Sequence, residues 1–327
     1  MRYTVEQPVE PLTKVVGRPD VTVFYWPRAA GPYAGITLER THVKLRGGRV
    51  GLHNDHKPGY GPTTFRDILL ESGKGENETS DWLVRYYVDE GIVMERVRCV
   101  DVTRPGQSTL LRDGHAVYLG YGTGLHFFKD LSFRNIPANA LQLRHELNRK
   151  DPLWKLPRQI EIDGLHAREC GQKRGAGRAG FAVSVKDAGP QSTVHMSRFD
   201  IENVRQSDVR QSGKIHYDSF GAICIEHCKE AVVENGYVRH KNPDKSLVQY
   251  YDMANKTDTA GPKRIAQLDH VELHGGQVDI RMEMGLENVE ILPFEGTADI
   301  AIRKRNSSGS WSVVRRYTAK EGFKWKA

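Results

Sequence analysis

The sequence predicts an all-β solenoid, a stack of short strands wound into successive coils. Three observations predict it: a corner-like unit recurs along most of the chain, apolar residues alternate with a period of two, and helical spacing is missing. The unit reads apolar, any, apolar, polar or charged, then Asn, Gly or Asp, as in "AVVENG" at 231–236. Related copies start at 43 (VKLRGG), 68 (ILLESG), 131 (LSFRNI), 160 (IEIDGL), 199 (FDIENV) and 266 (AQLDHV), with looser ones at 97 (VRCVDV) and 289 (VEILPF). Successive starts are 23 to 39 residues apart. Such bounded, irregular spacing marks repeats that bury their apolar face only by stacking on the next copy.

Each part of the unit has a physical role. Leu131 and Phe133, or Phe199 and Ile201, sit two apart and share one face of a strand. No stripe of i, i+3, i+4, i+7 apolar residues is sustained, and 32 Gly with 15 Pro interrupt the chain too often for long helices. The Asn or Gly after the apolar pair supplies a corner that tolerates left-handed backbone. A second strand precedes several corners: HAVYLGY (115–121), NALQLRH (139–145), GFAVSVKD (180–187) and GAICIEH (221–227). These four are expected to stack on their pairs Val117/Leu119, Leu141/Leu143, Val183/Val185 and Ile223/Ile225. Phe133, Ile162, Ile201, Val233 and Leu268 are expected to form one interior row.

In these residues the chain resembles the right-handed parallel β-helix superfamily, the pectate-lyase-like fold of polysaccharide lyases, some glycoside hydrolases and viral tailspikes. The resemblance implies a single-stranded right-handed parallel β-helix of about nine coils over residues 36–302. Residues 1–35 would form an N-terminal cap, and 303–327 a basic C-terminal hairpin. The calcium-binding Asp cluster of pectate lyases and the paired-Asp motif of polygalacturonases are not recognisable here. The resemblance therefore implies a fold without a mechanism.

Composition narrows the setting. A hydrophobic content of 38% suits coils that bury only the inward half of each strand. No run approaches the roughly 18 apolar residues of a membrane span, and "MRYTVEQPVEPLTKVV" holds no apolar leader region. Four Cys without dense spacing fit a reduced chain rather than a disulfide scaffold. The expectation is synthesis in a host cytoplasm without a signal peptide and association with a virion, with no membrane partner and no sequence-specific nucleic acid.

Charge is concentrated at the end. Residues 303–327 hold eight Lys/Arg and one Glu, which leaves 40 basic and 40 acidic residues in the rest. Trp311, Val313, Arg315 and Tyr317 alternate as in a hairpin strand. Lys and Arg there are ordinary protection for an open sheet edge. The alternative is docking to an acidic partner, other virion proteins included, through Arg303, Lys304, Arg305, Trp311, Arg315, Arg316 and Trp325.

Chemistry is sought just past the four stacked strands. One expected column reads Gly120, Arg144, Lys186, Glu226, and the next Tyr121, His145, Asp187, His227. A carboxylate beside an imidazole raises its pKa and positions its proton, as acid–base catalysis requires. In β-elimination on a uronate polymer, Arg144 or Lys186 would neutralise the sugar carboxylate while His145, His227 or Tyr121 removed a proton. In hydrolysis, Asp187 and Glu226 would be the two carboxylates. The plain alternative is a set of cross-strand ion pairs on a solvated face. Lys173, Arg174 and Arg178, in the Gly-rich "GQKRGAGRAG", would grip an anionic glycan from a projecting loop. His270, Glu272 and His274 alternate on one strand, too far apart for a single ion. No metal or cofactor is expected.

The expected function is binding of a surface polysaccharide by a phage tailspike or decoration-type protein, with cleavage an open question. The alternatives are a purely structural virion component and a free polysaccharide lyase. A homotrimer is open.

Overall fold

The computed structural model describes residues 2–4, 15–16, 23–26, 36–45, 50–54, 63–72, 82–88, 91–100, 115–121, 123–136, 139–144, 156–170, 181–186, 188–202, 210–211, 214–215, 221–239, 246–251, 264–282, 286–308 and 311–326. Among them the protein is all-β. Two large sheets share the chain, their parallel strands alternating up to Leu286–Ile291, apart from a separate antiparallel pair at Arg210–Gln211 and Lys214–Ile215. The short-strand sheet runs Arg2–Thr4, Val23–Trp26, Val50–Asn54, Trp82–Val88, His115–Tyr121, Leu141–Arg144, Phe181–Lys186, Gly221–Glu226, Ser246–Tyr251, Gln277–Met282 and Asp299–Arg305, all parallel. The long-strand sheet runs Val15–Val16, Ile36–Leu45, Thr63–Ser72, Gly91–Val100, Gly124–Ile136, Arg158–Cys170, Gly189–Glu202, Cys228–Arg239, Arg264–His274 and Leu286–Ile291, also parallel. This alternation is consistent with a β-solenoid. The parallel pairing already includes Arg2–Thr4 and Val23–Trp26, N-terminal to residue 36.

Each long strand from Ile36–Leu45 to Arg264–His274 bends near its middle, and Gly124–Ile136 and Arg158–Cys170 carry a second positive-φ residue near their ends, Asn135 and Glu169. Arg40, Asp67, Arg96, Asp130, Gly164, Arg198, Asn235 and His270 all have positive φ, between 45° and 79°. The ladder passes over these residues and resumes beyond them in unchanged register, as at Lys129↔Asp163 and Leu131↔Leu165. One left-handed residue reverses the alternation, so both halves of the strand turn their apolar side chains inward. In Gly124–Ile136 the buried residues are His126 and Phe128 before Asp130, then Leu131 and Phe133 after it, and Ile136 at the end. Left-handed backbone costs an L-residue about 1–2 kcal/mol; ion pairs along the column offset part of that. Arg96 reaches Asp67 at 2.5 Å, and Arg198 holds Asp163 and lies 3.7 Å from Asp130. Gly164 leaves room for the Asp130 carboxylate, whose Oδ1 would lie 2.5 Å from any added Cβ.

The bend corrects one expectation about the core. Ile162, Val233 and Leu268 do stack in one row, joined by Phe128 and Met196. Phe133 and Ile201 lie in a second row with Ala167 and Val238, on the other side of the bend. All five are buried, but the single row does not exist. The recurring unit marks two different corners, since LSFRNI and FDIENV end a long strand whereas IEIDGL, AVVENG and AQLDHV lie at its middle.

Both sheets end in antiparallel strands. Trp311–Tyr317 pairs with Asp299–Arg305, and Phe323–Lys326 with Leu286–Ile291. Asp279 is fully buried and anchors this end, accepting from Arg281 Nε at 3.1 Å and Arg303 Nε at 2.8 Å. Arg281 in turn lies over the Trp311 ring, 5.6 Å from its centroid. A buried carboxylate persists only when paired in this way.

Candidate functional site

The four short strands stack in the register their apolar pairs imply: Val117, Leu141, Val183 and Ile223 are successive partners, as are Leu119, Leu143, Val185 and Ile225. Gly120, Arg144 and Lys186 therefore form a column, and Lys186 Nζ lies 3.8 Å from Glu226 on the following strand. The Cys224 thiol, fully buried and pushed well above its ordinary pKa by desolvation, donates to Glu226 Oε1 at 3.4 Å. Glu226 is thus held between a lysine and a thiol. His227 is buried, with φ at 54°, and Tyr121 is the register partner of Val88. His145, Asp187, Lys173, Arg174 and Arg178 lie outside the described residues. The expected His–Asp–His column is represented only by His227.

Arg144 and Lys186 open onto a narrow cleft of about 20 Å³ between the end of the short strands and the start of the long ones. Its walls are Leu119, Leu143, Ile160 and Val185; its polar groups are His126, Arg144, Arg158 and Lys186. Arg158 is buried and donates from Nη1 to the carbonyls of Ala188 at 2.9 Å and Leu156 at 3.2 Å. Burial lowers its pKa to about 10, which leaves it charged at neutral pH. Burial, with a smaller contribution from Arg158, holds His126 down to about 3, so its ring is neutral.

The C-terminal cations divide into two groups. Arg303 is taken by Asp279, Arg316 donates to Gln277 at 3.3 Å, and Trp325 packs against the core. Lys304 and Arg315 are exposed, with the Arg315 guanidinium 6.0 Å from the Tyr317 ring centroid. Arg305 is the register partner of Trp311.

A second, larger concavity was not anticipated. A groove of about 640 Å³ is lined by Gly236, Tyr237, His270, Val271, Glu272, Pro293, Phe294, Glu295 and Lys320. Tyr237, Glu272 and Glu295 are register partners on three successive strands. Glu272 meets His274 Nε2 at 2.5 Å, and the His274 ring stands 5.7 Å from that of Tyr237. Gly236 admits the Phe199 ring, whose nearest carbon would lie 2.1 Å from an added Cβ. Glu272 had a sequence signal only as part of the alternating His270–Glu272–His274 set. Glu295 had none, because only the turn at Leu292–Phe294 brings it beside Glu272. Among the described residues no group of three His, Cys, Asp or Glu side chains is placed to share a metal ion.

Comparison with protein-family models, curated proteins and solved structures finds no match to this chain.

Proposed function

We propose that the chain is a right-handed parallel β-helix of the pectate-lyase-like kind that binds and cleaves an extended polysaccharide at the groove of Tyr237, Glu272 and Glu295. The register pairing of the two glutamates inside an open groove, with Tyr237 on the next strand, carries this reading. Sugar sites combine an apolar or aromatic platform with a few convergent polar groups. Neighbouring strands are about 4.8 Å apart, close to the roughly 5–5.5 Å between the carboxyls of retaining glycosidases. Glu272, hydrogen-bonded to His274, is assigned as the nucleophile that attacks the anomeric carbon. Glu295 is assigned as the acid that protonates the departing oxygen and then activates the water that releases the sugar. The setting is a virion tailspike or decoration protein, attached to acidic partner proteins through the exposed Lys304, Arg315 and Lys326.

The test is a glycan array together with release of reducing ends by the full chain. Glu272→Gln and Glu295→Gln should each lower release at least about 100-fold, with binding and melting temperature retained. Absence of any polysaccharide binding would contradict the reading. It would favour a rigid virion spacer instead, for which satisfied surface ladders such as Glu39–Arg66–Glu95, at 2.7 and 2.8 Å, are sufficient.

A further inference from the structure

The cleft at the end of the short strands holds buried nitrogen atoms that the groove reading leaves unused. His126 is only 5% exposed, and its Nε2 has no hydrogen-bond partner. Arg144 Nε is likewise buried without a partner. Both line the cleft, together with Arg158 and Lys186. Among the described residues no carboxylate lines it. An unsatisfied buried donor is unfavourable, and two of them beside Arg158 and Lys186, the latter also 3.8 Å from Glu226, raise the potential of an apolar-walled space where charge is poorly screened. The enclosed space, about 20 Å³, is too narrow for a sugar ring but admits one oxygen of a small group seated at its mouth.

We propose that this cleft is an oxyanion site, in which Arg144, Arg158 and Lys186 supply the positive charge and the His126 ring donates from Nε2 to one oxygen of a phosphate-, sulfate- or carboxylate-sized group. With Nε2 as the protonated nitrogen, the neutral imidazole is a donor, as the geometry requires. Arginine presents a planar fork that matches such oxygens, and lysine adds a point charge. No bond is made or broken. The group is either a free ion or the acidic substituent of a glycan, and the chemistry at the cleft is the same for both. Seated there, it ties the turn between the two sheets across Leu143–Arg144, Arg158 and Val185–Lys186.

The test is calorimetric titration of the full chain with inorganic phosphate, against sodium chloride of equal ionic strength. Saturable phosphate binding is expected, with a rise in melting temperature that chloride does not reproduce. Arg144→Met and Lys186→Met should each weaken it at least about tenfold, the equivalent of one charge-assisted hydrogen bond. His126→Leu should weaken it with less loss of charge, and because that side chain is buried its fold is checked first by circular dichroism. An oligogalacturonate that competes with phosphate identifies the group as glycan-borne; phosphate binding without competition identifies a free ion. No saturable phosphate binding, or binding unchanged in both Arg144→Met and Lys186→Met, overturns the proposal. Glu272→Gln and Glu295→Gln should leave phosphate binding intact, so this site and the groove fail or stand separately.

Discussion

The two sheets treat their outer faces in opposite ways. Along the long strands buried and partly exposed residues alternate, and the outward side chains form ladders such as Glu161–His195–Glu234. The central short strands are buried on both faces: Phe181–Lys186 and Gly221–Glu226 expose nothing until their last residue. Their outward columns hold Ala116, Ala140, Ala182 and Ala222, then Tyr118, Gln142, Ser184 and Cys224, all buried. A parallel sheet covered on both sides reads as a near-continuous apolar run, whereas a half-covered one alternates. The difference separates tasks. The covered sheet stores buried polar contacts that specify the stack, and the open sheet carries the groove.

Asn139 illustrates the covered side. Its side-chain Nδ2 donates to Gln142 Oε1 at 2.5 Å, its Oδ1 accepts from Phe181 N–H at 2.6 Å, and its own N–H donates to His115 Nδ1 at 3.1 Å. One buried residue, through its backbone and its side chain, thereby ties three neighbouring strands. On the open side the corresponding contacts are ion pairs in contact with solvent, which are worth little individually.

The largest expected effect breaks the covered side. Asp279→Ala leaves Arg281 and Arg303 without their shared buried carboxylate, a loss of about 3–5 kcal/mol in urea unfolding. Glu290→Gln, which removes the partly buried partner of the exposed Lys324 at 2.6 Å, should change stability by less than about 1 kcal/mol. Equal losses would erase the contrast between the faces.

Next in size is overpacking. Ala182→Leu, in the outward but buried alanine column, should cost about 1–3 kcal/mol, while Gln159→Leu on the open sheet should stay within about 0.5 kcal/mol. If Ala182→Leu is neutral in thermal melts, the outer face of the short strands is not packed as described. Gly164→Ala should fall in the same range, because it combines a φ of 79° with a Cβ 2.5 Å from Asp130 Oδ1.

How much of this was legible follows from which side chains carry a signal. The short-strand register was readable because each strand carries an inward apolar pair, followed in three of the four by a charged residue, and a slip of one would turn every pair outward. The bend was harder. The left-handed residue is Arg, Asp or His at six of the eight positions from 40 to 270, so Gly and Asn did not mark it. The apolar-x-apolar-polar unit occurs on both sides of the bend, and two corners were merged into one repeat. Counted at the bend alone, the positions are 27 to 37 residues apart, a tighter period than the unit showed. Arg144 and Lys186 were expected in one column, but neither the groove nor the rest of the cleft was readable. His126, Arg144 and Arg158 are far apart in the chain, and Glu295 meets Glu272 only through a turn and a strand of two residues.

The smallest expected effect concerns pH on the open sheet. His195 meets Glu161 at 3.0 Å through Nδ1 and Glu234 at 3.0 Å through Nε2. Partial burial pulls its pKa down, but the hydrogen bond to Glu234 and the charge of Glu161 outweigh that, and the net direction is up. The folded state therefore binds the proton more tightly than the unfolded one. The stabilisation is complete below the unfolded value of about 6.5 and is lost as pH rises through the higher folded value. With the side chain 40% exposed, solvent limits it to less than about 1 kcal/mol. His195→Gln should flatten unfolding free energy across that window; an unchanged pH profile would show that the clamp contributes nothing.

The division between the sheets is tested most directly by hydrogen exchange of the full chain with and without a polysaccharide it binds. Protection is expected at Gly236–Tyr237, His270–Glu272 and Phe294–Glu295, on the open side, with Ala116–Tyr118 and Phe181–Ser184 unchanged. Protection confined to the covered short strands, or none at the groove under saturating polysaccharide, would contradict the assignment of the groove as the binding site.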